Sequence, residues 1–236
     1  EVESRFRGSG YQLSELEPVY RHGQPGDLLR HRSGGFIQPT TPRFHRTVIE
    51  DVLVALTHQY FSSCPRVHEF GCGTGWNLVI LAQQFPNQTW WGSDWTPVSG
   101  RILDGVVAHH ALPIVSGRVV QMCLPDPAYP LSREDGVLTV TALEQVGSNW
   151  RPFLDFVLAR HPAMCVHLEP VYERYVPNRL VDYLAMRYHD HRGYLKGYLP
   201  ALEDLERQGR ATILQVTRTV GYRYHEGHTV VVWRPT

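Results

Sequence analysis

Neither sign of charge dominates this sequence: 23 Lys and Arg balance 23 Asp and Glu. Without a net basic field the chain has little non-specific attraction to a phosphate backbone, so nucleic acid is not an expected partner. Long hydrophobic runs are also lacking. The apolar stretches are short and broken by Gly, Pro or charge, and none approaches the roughly 20 residues that a membrane-spanning helix needs. Cysteine is scarce. Cys64, Cys72, Cys123 and Cys165 are widely spaced, which suits reduced thiols better than a disulfide framework, and no pair has zinc-site spacing, so no metal is expected. The opening residues Glu1-Val2-Glu3-Ser4-Arg5 lack the basic-then-apolar order of a signal peptide, which leans the expectation towards the cytoplasm. No internal repeat is present.

What is there suits one α/β core. At 236 residues and 42% hydrophobic, two independent cores would both be undersized, so residues 1–236 are read as a single domain. Residues 1–45 are rich in Gly, Pro, Arg and His, with a brief helical suggestion around Leu13 to Tyr20, and read as an arm or lid packed on a core of residues 46–236. Helical spacing of Val48, Val52, Ala55 and Leu56 marks a helix over Phe44 to Tyr60. Further helices are expected over 77–84, 98–109, 150–160, 178–189 and 198–208; Pro152 is tolerated in the first turn of its helix. Strands are expected over 67–70, 89–94, 117–124, 136–141 and 163–168, then 211–220 and 228–233 joined by a turn at His225-Glu226-Gly227. Strands alternating with helices imply a Rossmann-like, seven-stranded, mostly parallel sheet with a terminal antiparallel hairpin and helices on both faces.

The strand at Val67-His68-Glu69-Phe70 runs into Gly71-Cys72-Gly73-Thr74-Gly75 and then a helix. Three glycines let the backbone bend sharply and leave no side chain between it and a ligand. The next strand ends in Asp94, nineteen residues beyond Gly75, where a carboxylate can accept hydrogen bonds from both hydroxyls of a ribose. A dinucleotide enzyme using NAD shares that acid, but its G-x-G-x-x-G turn needs a third small residue where this chain has Trp76. An indole obstructs the close approach of a pyrophosphate to the helix N-terminus.

With these features, residues 66 to 145 resemble the cofactor half of class I S-adenosylmethionine-dependent methyltransferases. The resemblance implies S-adenosylmethionine (SAM) as cofactor, held by the turn Glu69, Gly71, Cys72, Gly73 and Gly75, by Asp94 on the ribose and by Trp95 over the adenine, with Thr141 at the end of a later strand. The family often has an acid after the third strand for the adenine amino group; this sequence offers Gln121, Met122 and, farther on, Asp126, the last also readable as a Pro-Asp-Pro turn.

The acceptor end is less defined. Thr141-Ala142-Leu143-Glu144-Gln145 and His167-Leu168-Glu169-Pro170 finish two strands, which in open α/β sheets puts Glu144 and Glu169 at the ligand-binding edge. The run Arg187 to Tyr194 is dense in titratable groups, and on a helix His189 and His191 point to different faces. Glu144, Glu169 and His189 are the expected catalytic groups; Glu173, Asp190, His191 and Tyr194 are the expected substrate contacts. These segments and Val230-Val231-Val232-Trp233-Arg234-Pro235 resemble bacterial small-molecule methyltransferases acting on sugars, aminoglycoside N-methyltransferases of the gentamicin-pathway type in particular. The resemblance implies an amine acceptor on a cationic sugar held by carboxylates. O-methylation of a sugar or phenol is the alternative, and would need a general base. A small-molecule substrate is the partner expected, with a homo-oligomer left open.

Overall fold

The computed structural model describes residues 1–19, 23–24, 26–31, 35–225 and 228–236. Strict alternation along the strands divides their side chains between two faces of a seven-stranded sheet, ordered β5-β4-β3-β6-β7-β9-β8. These strands are β3 (Arg66–Phe70), β4 (Thr89–Asp94), β5 (Ile114–Val119), β6 (Gly136–Val140), β7 (Met164–Glu169), β8 (Ala211–Arg218) and β9 (Thr229–Pro235). Val67, Leu138, Val140, Val166, Leu168, Val230 and Val232 enter one apolar cluster with side chains from α1 (Val2–Gly8), α2 (Phe44–Tyr60), α3 (Trp76–Gln84) and α4 (Pro97–His109). Phe70, Val137, Cys165, Val231 and Trp233 point the other way, into a cluster with α5 (Arg151–Arg160) and α7 (Tyr198–Arg207). Both faces are therefore covered, the condition under which parallel strands persist. β3, β4, β5, β6 and β7 pair in parallel, and β9 alone runs against its neighbours β7 and β8. The expected sheet with its antiparallel hairpin is the one observed.

Strand order reverses between β3 and β6, so the chain leaves their carboxyl ends in opposite directions and opens a crevice there. Gly71, Asp94, Thr141 and Glu169 all stand at or just beyond that edge.

Four local expectations change. The third strand begins at Ile114 and ends at Val119, because pairing with β4 starts at Trp90 opposite Ile114; residues 121–124 instead close a small bridge of their own. The helix expected to end at His189 is α6, Leu180–Arg192, stopped by Gly193 at φ 64. The arm holds α1 and a two-stranded sheet of β1 (Leu29–Arg30) and β2 (Phe36–Ile37), while only Leu13–Leu16 forms a short 3-10 turn. Tyr20 of the expected helical segment, and Glu226 and Gly227 of the expected hairpin turn, lie outside the described residues. The arm is tied down by tertiary contacts. Thr74 Oγ1 donates to the Leu16 carbonyl (2.7 Å), and Arg30 exchanges backbone hydrogen bonds with Gly221 and forms a buried ion pair with Asp182 of α6. Among the described residues no helix is long and apolar enough to cross a membrane, and the four cysteines are free.

Candidate active site

The crevice at the sheet's carboxyl edge is a cleft of about 1230 Å³, larger than the roughly 300–1,000 Å³ of a single small-molecule pocket. Its floor is the glycine turn. Gly71 has φ 77 and an added Cβ would stand 2.3 Å from the Ala142 Cβ, whereas at Gly73 a Cβ would meet nothing within 4 Å. The first glycine lets the turn close on the strand beside it, and the second leaves its backbone bare. Gly75 lies behind the cleft, where it packs on Leu103 and begins α3 in the left-handed conformation. Cys72 lines the cleft as an un-ionised thiol, its titration pushed well up by burial first and then by the nearby Glu69 and Asp94 charges. Glu69 does not line it. Its Oε1 accepts a 2.6 Å hydrogen bond from Asn77 Nδ2, and Asn77 is the side chain that reaches the cleft wall.

Asp94 is buried and lines the cleft. Its Oδ2 accepts from the Gly73 amide (2.9 Å), and its Oδ1 accepts from both the amide and hydroxyl of Thr96 (each 3.0 Å). Those bonds occupy both lone pairs of Oδ1 and one of Oδ2, which corrects the expectation of two free acceptor oxygens: one site on Oδ2 remains. Trp95, 67% exposed, presents its indole beside it. Val120, Gln121, Met122 and Cys123 complete this end. Asp126 is outside, bonded to Arg118 and to the Ala128 amide as a turn residue. Trp76 lines the cleft and donates from Nε1 to Glu50 of α2 (2.7 Å).

Beyond the glycine turn, Thr141 takes φ 50, a conformation that non-glycine residues rarely adopt and that clusters at functional sites. It swings the chain out of β6 so that Glu144 enters the cleft. Glu144 is 7% exposed and its Oε2 has no hydrogen-bond partner. Burial first, then the neighbouring Glu169 charge, raise its titration well above the carboxylate range, while Arg192 pulls the other way. Opposite it, Tyr188, Tyr194, Tyr222, Tyr224 and His225 form an aromatic wall. The Tyr188 and His225 rings stack at 5.2 Å and 8°.

Several expected residues stand elsewhere. Glu169 is fully buried behind the cleft and accepts three backbone hydrogen bonds. His189 faces inward from α6, donates from Nε2 to the Leu195 carbonyl (2.7 Å) and is packed among Tyr172, Tyr175 and Tyr194. Because α6 continues past it, Asp190 and His191 turn to solvent, Asp190 pairing with Lys196. Glu173 accepts from the Gly197 amide (2.6 Å). None of these five lines the cleft, so the expected ring of carboxylates reduces to Glu144 at the acceptor end. Of the four expected substrate contacts only Tyr194 reaches it. Residues that sequence reasoning missed include Asn77, Asn149, Tyr188, Arg192, Tyr222, Tyr224 and His225; the last three were legible only as a loop between two strands. Among the described residues no group of His, Cys, Asp or Glu could hold a metal ion.

No family model matches the sequence, and no curated protein matches it. Solved structures do match the fold. Magnesium protoporphyrin IX methyltransferase ChlM from Synechocystis PCC 6803, determined with bound SAH, aligns over 100% of this chain and 98% of its own at a TM-score of 0.59 and 15% identity. The methyltransferase domain of bacterial CtHen1-C covers 80% of this chain and 97% of its own, with the same TM-score and identity. Mitomycin 7-O-methyltransferase MmcR matches 80% of this chain with 54% of its own, at 0.56 and 10%. The chain has the Rossmann-like methyltransferase fold.

Proposed function

We propose that this chain is a SAM-dependent methyltransferase whose acceptor is a hydroxyl of a small sugar or phenolic molecule. The observation that carries the reading is the unpartnered, buried Glu144 carboxyl facing the same cleft as a bare glycine turn and Asp94. The residues fit the cofactor. Gly71, Cys72 and Gly73 would lie along its methionine and ribose portions, Asp94 Oδ2 would accept from one ribose hydroxyl, and Trp95 would cover the adenine beside Val120 to Cys123. Trp76 occupies the position that a pyrophosphate would need, which argues against NAD. When bound, SAM supplies an electrophilic methyl group on a sulfonium and leaves as SAH.

The protein's own work is alignment, exclusion of water and removal of a proton. The aromatic wall presents a flat apolar surface to a ring. Glu144 in its ionised form would accept the acceptor's hydroxyl proton as the new carbon–oxygen bond forms, and release it to solvent after the products leave. An aminoglycoside amine is the second reading. Faces of the tyrosine rings attract cations, but with one carboxylate at this end and Arg192 beside it, a polycation has little to hold it. The arm, whose Val2, Arg5 and Glu17 line the rim, would serve as a cover over the cofactor within a single domain.

Transfer of labelled methyl from SAM, screened against phenols, neutral sugars and aminoglycosides, tests the reading. Labelled phenol or sugar is expected. Label on aminoglycosides alone would favour the amine, and no label on any class, together with no SAH binding, would overturn the proposal.

A further inference from the structure

Three successive amides beyond Thr141 converge on one carboxylate. Ala142 N–H and Leu143 N–H donate to Glu169 Oε1 (3.1 Å each), and Glu144 N–H donates to Oε2 (3.0 Å). Since Glu169 ends β7 and these residues follow β6, the contact bridges neighbouring strands at the cleft edge. The nearby Thr139 hydroxyl also favours the charged form of Glu169.

The orientation of the Thr139 hydroxyl is fixed from farther away. An indole nitrogen only donates, so Trp233 Nε1–H gives its hydrogen to His167 Nε2 (3.0 Å). His167 is held neutral by burial, its titration dropped to about 3, and its one hydrogen is therefore on Nδ1. That hydrogen goes to Thr139 Oγ1 (2.9 Å), so the threonine hydrogen is turned away from His167. Trp233, His167 and Thr139 are all buried. The three backbone amides donate to both oxygens of Glu169, and none of them offers an acceptor to a protonated form.

We propose that Glu169 is a positioning residue: as a carboxylate it clamps the backbone of residues 142–144, aims Glu144 into the cleft and repels negative charge there. The catalytic consequence rests on the reading of Glu144 as proton acceptor. Of the two buried acids, Glu144 has the unpartnered oxygen and therefore takes up a proton first as pH falls. Burial raises Glu169 as well, but the three backbone donors and the Thr139 hydroxyl pull it back down. The charged and titratable groups that face Glu144 are Glu169 from β7, Arg192 from α6 and Tyr194 from the following linker; Tyr198 of α7 faces Glu169. Mere structural support by Glu169 would not require it to be charged.

The test is carbon-13 NMR of the full-length protein labelled at glutamate carboxyls, with the two resonances assigned by their loss in Glu144→Gln and Glu169→Gln. In the wild type, Glu144 is expected to titrate above the ordinary carboxylate range and Glu169 to remain ionised at neutral pH. In Glu169→Gln the Glu144 midpoint is expected to move down towards that range, and amide exchange at 142–144 to accelerate. Should Glu169→Gln fail to fold, Thr139→Val keeps the shape, removes a hydroxyl that favours the charged form of Glu169, and is expected to raise the Glu169 midpoint. A Glu144 midpoint unmoved by Glu169→Gln, or a protonated Glu169 in the neutral wild type, would overturn the proposal. These titrations need no acceptor, so a failed methyl-transfer screen and a failed clamp remain distinguishable.

Discussion

At the scale of single residues, Glu144 is the group on which the proposed chemistry turns. Glu144→Gln is expected to lower turnover by about 10²- to 10⁴-fold, the usual worth of a positioned base, while SAH still binds. Since burial and the Glu169 charge raise its titration, kcat/KM should fall as pH drops through that raised midpoint. An ordinary carboxylate would sustain the rate down to its own lower range, so a flat profile there contradicts the assignment. His189→Ala leaves the buried Leu195 carbonyl without its donor and should cost about 1–3 kcal/mol of stability, with specific activity of the folded enzyme retained; thermal melts and rates together check it. Glu144 was legible in the sequence because a strand end names its own location in an open sheet. Asp190, His191 and Glu173 were misread as site residues for a physical reason. Their direction depends on where α6 stops and on backbone amides far away in sequence, neither of which local spacing encodes.

At the scale of elements, the strand–glycine turn–helix unit sets the cleft. Gly71→Ala demands a left-handed backbone from alanine and drives a methyl group into Ala142, so a stability loss of about 1–3 kcal/mol is expected from strain alone, together with weakened SAH binding. A melting temperature and affinity equal to the wild type would refute the packing described for this turn. All seven strands of the main sheet were readable because alternation separates their two faces and glycine or proline punctuates their ends. The arm's two-residue strands β1 and β2 were not, since two residues have no period, and their partners Gly221 and Asp182 lie far along the chain. The start of β5 was missed for a similar reason: its register comes from β4.

At the scale of the whole molecule, Arg30 joins the arm to α6 through one buried ion pair and to the β8–β9 connection through backbone hydrogen bonds with Gly221. Arg30→Ala leaves Asp182 buried with its main countercharge removed and should cost about 3–5 kcal/mol, read as a lower denaturation midpoint. A change below 1 kcal/mol would mean that the arm is not fastened there. The central claim concerns the cleft that this assembly encloses, and titration calorimetry with SAH tests it most directly. The wild type is expected to bind SAH and not NAD, and Asp94→Ala to bind SAH more weakly by about 1.5–3 kcal/mol, the worth of a hydrogen bond to a charged group. Wild-type protein that is folded and yet takes up no SAH, or an Asp94→Ala affinity equal to the wild type, would contradict it.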